Sequence, residues 1–321
     1  MSVERTTVMF EDFAKRAFSR RKGAGMPLIG RIVQIKYQSQ YHSQGLEACL
    51  KESFGTELLF GGKRTTRSSS HCKVAVTTTD TNKEARLLAN YNRSPQSETP
   101  YIFQRFEKPE QELAVWEAGQ ATSAAPGYFK GFFKSSNGHT YWDGALKFNN
   151  PILAADLERQ IVWPECKNQL PDLMLSIGTG YFPDARVRSG EAGPRFGIGI
   201  VDGVKALVHL GRDAIESGLD CEKTWTEFFN CSFPESQEKA RRLLRLSLPV
   251  NGPKIELDDV HKMTKLKELT LEHYTSPRGS ASHQISDVAA RLVASLFYFD
   301  LCTKQGAAIT GNSLFPFLGL C

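Results

Sequence analysis

Among the residues able to do chemistry, Asp143 stands out by its place. It closes the segment GFFKSSNGHTYWD (131–143), in which Asn137-Gly138 separates two aromatic runs. Both turn residues tolerate positive φ, so the segment predicts a β-hairpin with a type I′ turn. The returning strand delivers a carboxylate at its end, where loops on a rigid scaffold commonly build sites. Taken by itself, Asp143-Gly144 reads as turn chemistry, with the carboxylate accepting backbone N–H groups.

A hydroxyl nucleophile needs a base within about 2.6–3.2 Å. It also needs a tight, glycine-flanked backbone that holds it out toward substrate. Ser123 in ATSAAP (121–126) has no such glycines. Ser176 and Thr179 lie in LSIGTG (175–180), at a strand end beside glycines but outside a G-x-S-x-G pattern. That pattern occurs nowhere in the 321 residues; Gly311 and Ser313 start one that lacks its second glycine. His139 follows the hairpin turn and reads as a solvent-exposed turn histidine, not a general base, although its ordinary pKa would suit one. GIGIVDG (197–203) misses the dinucleotide spacing by one place, and GGKR (61–64) fails as a phosphate loop.

Seven cysteines, at 49, 72, 166, 221, 231, 302 and 321, are odd in number and show no C-x-x-C spacing. They predict reduced thiols, not a disulfide framework or a zinc site, and no metal or organic cofactor is expected. Net charge is +5, with Lys15, Arg16, Arg20, Arg21 and Lys22 gathered near the start. That run reads as a solvated helix end, and no motif points to nucleic acid. No run of 18 apolar residues is present, so no transmembrane segment is expected. The opening MSVERTTVMFEDF lacks the order of a secretory signal. The expected location is cytoplasmic, with any membrane contact peripheral; the sequons at Asn92 and Asn230 carry no weight there.

The elements that must position Asp143 follow from periodicity. Residues 3–19 predict an amphipathic helix packing through Phe10, Phe13, Ala14, Ala17 and Phe18, with Ser2 as N-cap. A second helix, 46–54, should pack through Leu46, Cys49, Leu50 and Phe54. KVAVTTT (73–79) predicts a buried strand, 110–120 a helix, and DLMLSI (172–177) a further strand. Asn150-Pro151 predicts an N-cap followed by proline at the first helical position, with a helix through Leu153, Leu157 and Ile161. Beyond Gly190 the pattern turns helical, most clearly over 283–302. Strands mixed with helices predict an α/β layer followed by helices.

Three stretches, WEAGQATSAAPGYF (116–129), DGALKFNNP (143–151) and LSIGTG (175–180), resemble in order and separation the patatin-like phospholipases, the fungal members in particular. MSVERTTVMFEDFAKRAF, LDDVHKMTKLKEL (257–269) and ARLVASLFYF (290–299) resemble them too. The resemblance implies an incomplete patatin-like α/β sheet with flanking helices over 1–185, and a mainly α-helical region over 186–321. It implies a lipid acyl hydrolase in which an aspartate activates a serine directly. Asp143 matches the proton acceptor, and Gly144 and Ala145, completing the motif, are small enough for the chain to pass close to the serine's elbow. The elbow and the oxyanion loop are not in these residues, and Met1 falls about where the elbow would end. The resemblance therefore implies an N-terminally truncated member, poorly soluble through unpaired strand edges, and inactive alone. The partner implied is a lipid or a membrane surface; the alternative is a non-catalytic remnant that binds lipid or a protein.

Overall fold

The computed structural model describes residues 3–21, 39–61, 72–94, 98–183, 221–252, 255–276, 279–295, 298–299 and 311–312. The chain divides into two compact units, Met1–Gly62 with Ala75–Asp258, and Lys63–Val74 with Asp259–Leu320. It is a mixed α/β protein with a partial five-stranded sheet flanked by helices and a helical C-terminal region.

The first unit opens with helix α1 (Val3–Ala17) and helix α2 (Ser43–Phe54). Ala17, Leu46 and Leu50 join Tyr41, Tyr128 and Phe129 in one apolar cluster, with Phe13, Phe18 and Trp116 against it. Two residues expected on these faces lie outside it: Phe10 is 63% exposed and Phe54 51%. Both keep the helical spacing but take no part in the buried cluster.

The sheet runs β3-β2-β1-β5-β4, with β1 at Ala75–Asp80, β2 at Ala85–Ala89, β3 at Ile102–Phe103, β4 at Phe132–Lys134 and β5 at His139–Asp143. Strand β1 is central and pairs antiparallel with β2 and β5, placing Thr78 opposite Asp143. Alternation sends Val76, Leu88 and Tyr141 to one face, where they pack with Ala118 and Ala121 of helix α3 (Val115–Thr122). Ala85 and Leu87 point to the other, against Ala154 and Leu157 of helix α4 (Ile152–Val162). Both outer strands are very short, which blunts the edges on which a sheet could recruit another chain.

The hairpin forms where expected, with a different turn. Lys134 pairs with His139, leaving the four residues 135–138 as the loop. Only Gly138 has positive φ, +72°, while Gly138 N–H donates to Lys134 O at 2.9 Å. This is a four-residue connection, not a type I′ turn. A side chain at Gly138 would meet open space, so Gly138→Ala carries only backbone strain and is expected to lower stability by about 1 kcal/mol. Urea unfolding checks this.

Helix α3 begins at Val115, five residues later than the pattern predicts. Pro109–Gln111 forms a 3-10 turn, and the next stretch runs extended, with Leu59 N–H on Leu113 O and Val115 N–H on Glu57 O. Glu117 then reaches back to Ala114 N–H at 2.8 Å and pairs with Lys134 at 2.7 Å. Proline occupies the N-cap of α4 at position 151, while Asn150 Oδ1 accepts from Ile152 N–H at 3.3 Å, one place off the expected cap.

Strand β6 (Met174–Ile177) pairs parallel with β7 (Leu243–Leu246), behind helices α5 (Cys221–Ser232) and α6 (Gln237–Arg242). Strand β7 lies within the stretch expected to be mainly helical, and the sequence pattern did not single it out. The second unit contains helices α7 (Met263–Thr275) and α8 (Ser280–Ala294), and a two-stranded pair, β8 (Tyr298–Phe299) with β9 (Gly311–Asn312). Helix α8 ends at Ala294, eight residues short of the expected end. No helix of the described residues is long and apolar enough to cross a membrane.

Candidate functional site

Asp143 ends β5, and three bonds fix the backbone around it. Its own N–H donates to Ala124 O at 3.1 Å, joining the strand end to the ATSAAP block that follows α3. Thr78 Oγ1 donates to Trp142 O at 2.6 Å. Thr122 Oγ1 donates to Thr77 O at 2.7 Å. Helix α3, its trailing loop and the central strand therefore converge on one strand end. By alternation with Tyr141, the Asp143 side chain lies on the α3 face.

Gly144 is required by contact. A Cβ there would come within 2.3 Å of both Thr77 O and Thr77 Oγ1, far inside van der Waals contact. Ala145 donates its N–H to Asp143 Oδ1 at 2.8 Å, and the chain turns through a 3-10 segment, Gly144–Leu146.

The Asp143 carboxyl is part-buried and accepts that single backbone N–H bond among the described residues. Burial pushes it up from the usual 3.8 to about 6, against a smaller pull down from Ala145 N–H. No charged neighbour contributes. Desolvation disfavours the ionised form, so this carboxylate is ionised at neutral pH yet more basic than a surface aspartate. Its second oxygen has accepting capacity to spare. The turn-residue reading is thus half right: Asp143 does accept Ala145 N–H, with one oxygen.

Among the described residues, none of the other candidates hydrogen-bonds the Asp143 carboxyl, although Ser123 adjoins Ala124, whose O accepts Asp143 N–H. Ser123 is the C-cap of α3, at the negative end of the helix dipole and outside any glycine-flanked turn. Ser176 is buried, donates to Asn150 Oδ1 at 3.2 Å and accepts from Arg245 at 2.8 Å. Thr179 is exposed beyond β6. His139 is a strand residue and not a solvent-exposed turn residue: its ring packs beside Phe106 and Tyr141, and burial lowers its pKa. It lies four residues, or about 13 Å, along the strand from Asp143, too far to relay a proton. GIGIVDG and Ser313 lie outside the described residues, as does most of GGKR. Among the described residues no group of three or more His, Cys, Asp or Glu could hold a metal ion, and Cys49, Cys72, Cys166, Cys221 and Cys231 form no disulfide.

Sequence reasoning missed the bracing residues. Thr77, Thr78 and Thr122 look like ordinary strand and helix residues, and only the register shows that they hold Asp143. Ser123→Ala touches none of these bonds. It is expected to change stability by less than about 0.5 kcal/mol and to leave the Asp143 titration in place, as carboxyl NMR would read.

Residues 5–156 match the patatin-like phospholipase family model. The calcium-independent phospholipase A2-gamma of Oryctolagus cuniculus is 31% identical over 164 residues, covering 50% of this chain and 19% of that protein. Its Homo sapiens counterpart is 30% identical over the same coverage. Phospholipase A I of Arabidopsis thaliana is 43% identical over 76 residues, 24% of this chain and 5% of that protein. The chain aligns with about a fifth of the length of the first of these relatives.

Proposed function

We propose, from the premise that residues 5–156 carry a patatin-like phospholipase domain, that this chain holds the base of a lipid acyl hydrolase of the fungal type. Asp143 takes the proton of a serine hydroxyl as that oxygen attacks the acyl carbonyl of a phospholipid or neutral lipid. It returns the proton to the leaving alcohol, then takes one from the water that hydrolyses the acyl-serine and gives it to the departing serine oxygen. The observation that carries this reading is a desolvated carboxylate, raised to about 6, with one oxygen fixed by Ala145 N–H. A base works best with its pKa near the operating pH. The names of the similar phospholipases support an acyl-ester substrate in a phospholipid.

The 321 residues contain no G-x-S-x-G, so the serine of this scheme comes from residues outside them. We place the hydrolase-like portion at 1–185 and the protein in the cytoplasm, meeting lipid at a membrane surface without crossing it. The second reading, a non-catalytic module that binds lipid or a protein, is favoured by the same missing motif.

A fluorophosphonate probe tests whether these residues hold a nucleophile. The 321-residue chain is expected to remain unlabelled and to turn over no ester. Labelling that is lost in Asp143→Asn would place a nucleophile inside these residues and overturn that expectation. Liposome binding that persists in Asp143→Ala, together with no turnover by the parent chain even when a G-x-S-x-G segment is supplied, would favour the non-catalytic reading.

A further inference from the structure

The aspartate segment, 143–151, is held at both ends, and its far end is held by residues outside the matched domain. Asn150 lies seven residues after Asp143. Its Oδ1 accepts from Ser176 Oγ at 3.2 Å and from Ile152 N–H at 3.3 Å, and its Nδ2 donates to Cys221 O at 3.1 Å. Arg245 Nη1 donates to Ser176 Oγ at 2.8 Å, while its Nε and Nη2 donate to Glu222 Oε1 at 3.1 and 2.8 Å. Ser176, Glu222 and Arg245 all lie beyond residue 156, where the family match ends.

This cluster is crowded. Gly178 leaves room for it, since a Cβ there would lie 2.6 Å from both Arg245 Nη2 and Ser247 Oγ. Arg245, with 9% of its side chain exposed, is neutralised by Glu222. A buried pair of this kind is a costly way to gain stability alone; its forked geometry fixes direction. What it points at is Ser176, and through it Asn150.

The path from Asn150 back to Asp143 is short and taut. Lys147 and Phe148 N–H groups both donate to Gly144 O, at 3.0 and 2.8 Å. The Phe148 ring stands edge-on to Tyr101 at 5.8 Å. A displacement of Asn150 therefore has little slack before it reaches Gly144 and Asp143.

We propose that Arg245 and Ser176 are positioning residues: through Asn150 they pin the far end of the 143–151 segment and so set the placement of the Asp143 carboxylate. This inference rests on the reading of Asp143 as the base. It assigns the stretch after the matched domain a part in the site, beyond support of the fold.

The test uses the whole 321-residue chain and needs no turnover. Amide exchange is followed at Ala145, whose N–H bonds Asp143, and at Ile152, whose N–H bonds Asn150, with Leu87 and Leu88 of β2 as the reference for global opening. Ser176→Ala removes one hydroxyl and leaves the Arg245–Glu222 pair intact. It is expected to speed exchange at Ala145 and Ile152 by about fivefold, the loss of roughly one hydrogen bond, with β2 unchanged and the Asp143 titration shifted toward the ordinary range. Gly178→Ala, which displaces the guanidinium without removing it, should do the same. Unchanged Ala145 exchange and an unchanged Asp143 titration in both variants would overturn the inference, as would equal acceleration at every amide. A parent chain in which Asp143 titrates as an ordinary aspartate removes the base itself, and with it anything to position; that result is distinct because it appears without any substitution.

Discussion

Gly144→Val is expected to destabilise the first unit by about 3 kcal/mol or more and to unseat Asp143. Ordinary overpacking of a core costs about 1–3 kcal/mol because side chains can shift. Here the first carbon added already meets a backbone carbonyl and Thr77 Oγ1 at 2.3 Å, and that carbonyl is fixed by Thr122 Oγ1. Neither can withdraw without opening the β1–β5 pairing at Thr78 and Asp143. Gly144→Ala should show most of the effect, since the clash is at Cβ. Urea unfolding of both variants, compared with Gly138→Ala, separates a contact requirement from a conformational one. A cost for Gly144→Ala no larger than for Gly138→Ala would contradict the close approach.

Asp143→Asn is expected to stabilise the protein at neutral pH and to have no effect in acid. The folded-state pKa is raised, to about 6 from the usual 3.8, so folding favours the protonated carboxyl. That preference is fully present below the unfolded value of 3.8 and is lost as pH rises through about 6. Above that pH the ionised carboxylate costs the fold at most about 3 kcal/mol, at 1.36 kcal/mol for each pH step between the two values. Asparagine carries no charge to desolvate, and its Oδ1 can still accept Ala145 N–H. The stability difference between Asp143→Asn and the parent should therefore grow from near zero at pH 3.5 to its full size by pH 7. Such a gain on removal of a functional group is what a site built against stability produces. A neutral-pH loss of stability, vanishing in acid, would mean that the carboxylate is a stabilising turn acceptor and nothing more.

The residues that were legible are those whose local chemistry agrees with their tertiary setting. KVAVTTT is β-branched and becomes the central strand. Asn137-Gly138 announces a hairpin, although the turn takes four residues because Asn137 uses its side chain instead of positive φ: Oδ1 accepts His139 N–H, and Nδ2 donates to Gln111 O and Tyr141 OH. Asp143 at a strand end was readable for the same reason, as a short-range pattern that the sheet register preserves.

What was illegible depends on partners distant in sequence. Strand β2 is ARLLA and β7 is LLRL, both good helix compositions; they are strands because β1 and β6 offer them edges, a tertiary override of propensity. Arg86 in β2 is tolerated in a buried position because Asp80 accepts its Nε and Nη2, at 2.9 and 2.7 Å. Phe10 and Phe54 keep helical periodicity and are exposed all the same, since periodicity marks a face and not which of its residues a neighbour covers. The Arg245–Ser176–Asn150 chain spans 95 residues of sequence, and no local pattern could have joined its members.

The most direct measurement is a carboxyl ¹³C titration of Asp143 in the intact chain. A midpoint near 6, unaccompanied by titration of any neighbouring carboxylate, is the result expected of a desolvated base with a free oxygen. A midpoint at or below about 4, the value of an unperturbed aspartate, would contradict it and leave Asp143 an ordinary acceptor at the end of a strand.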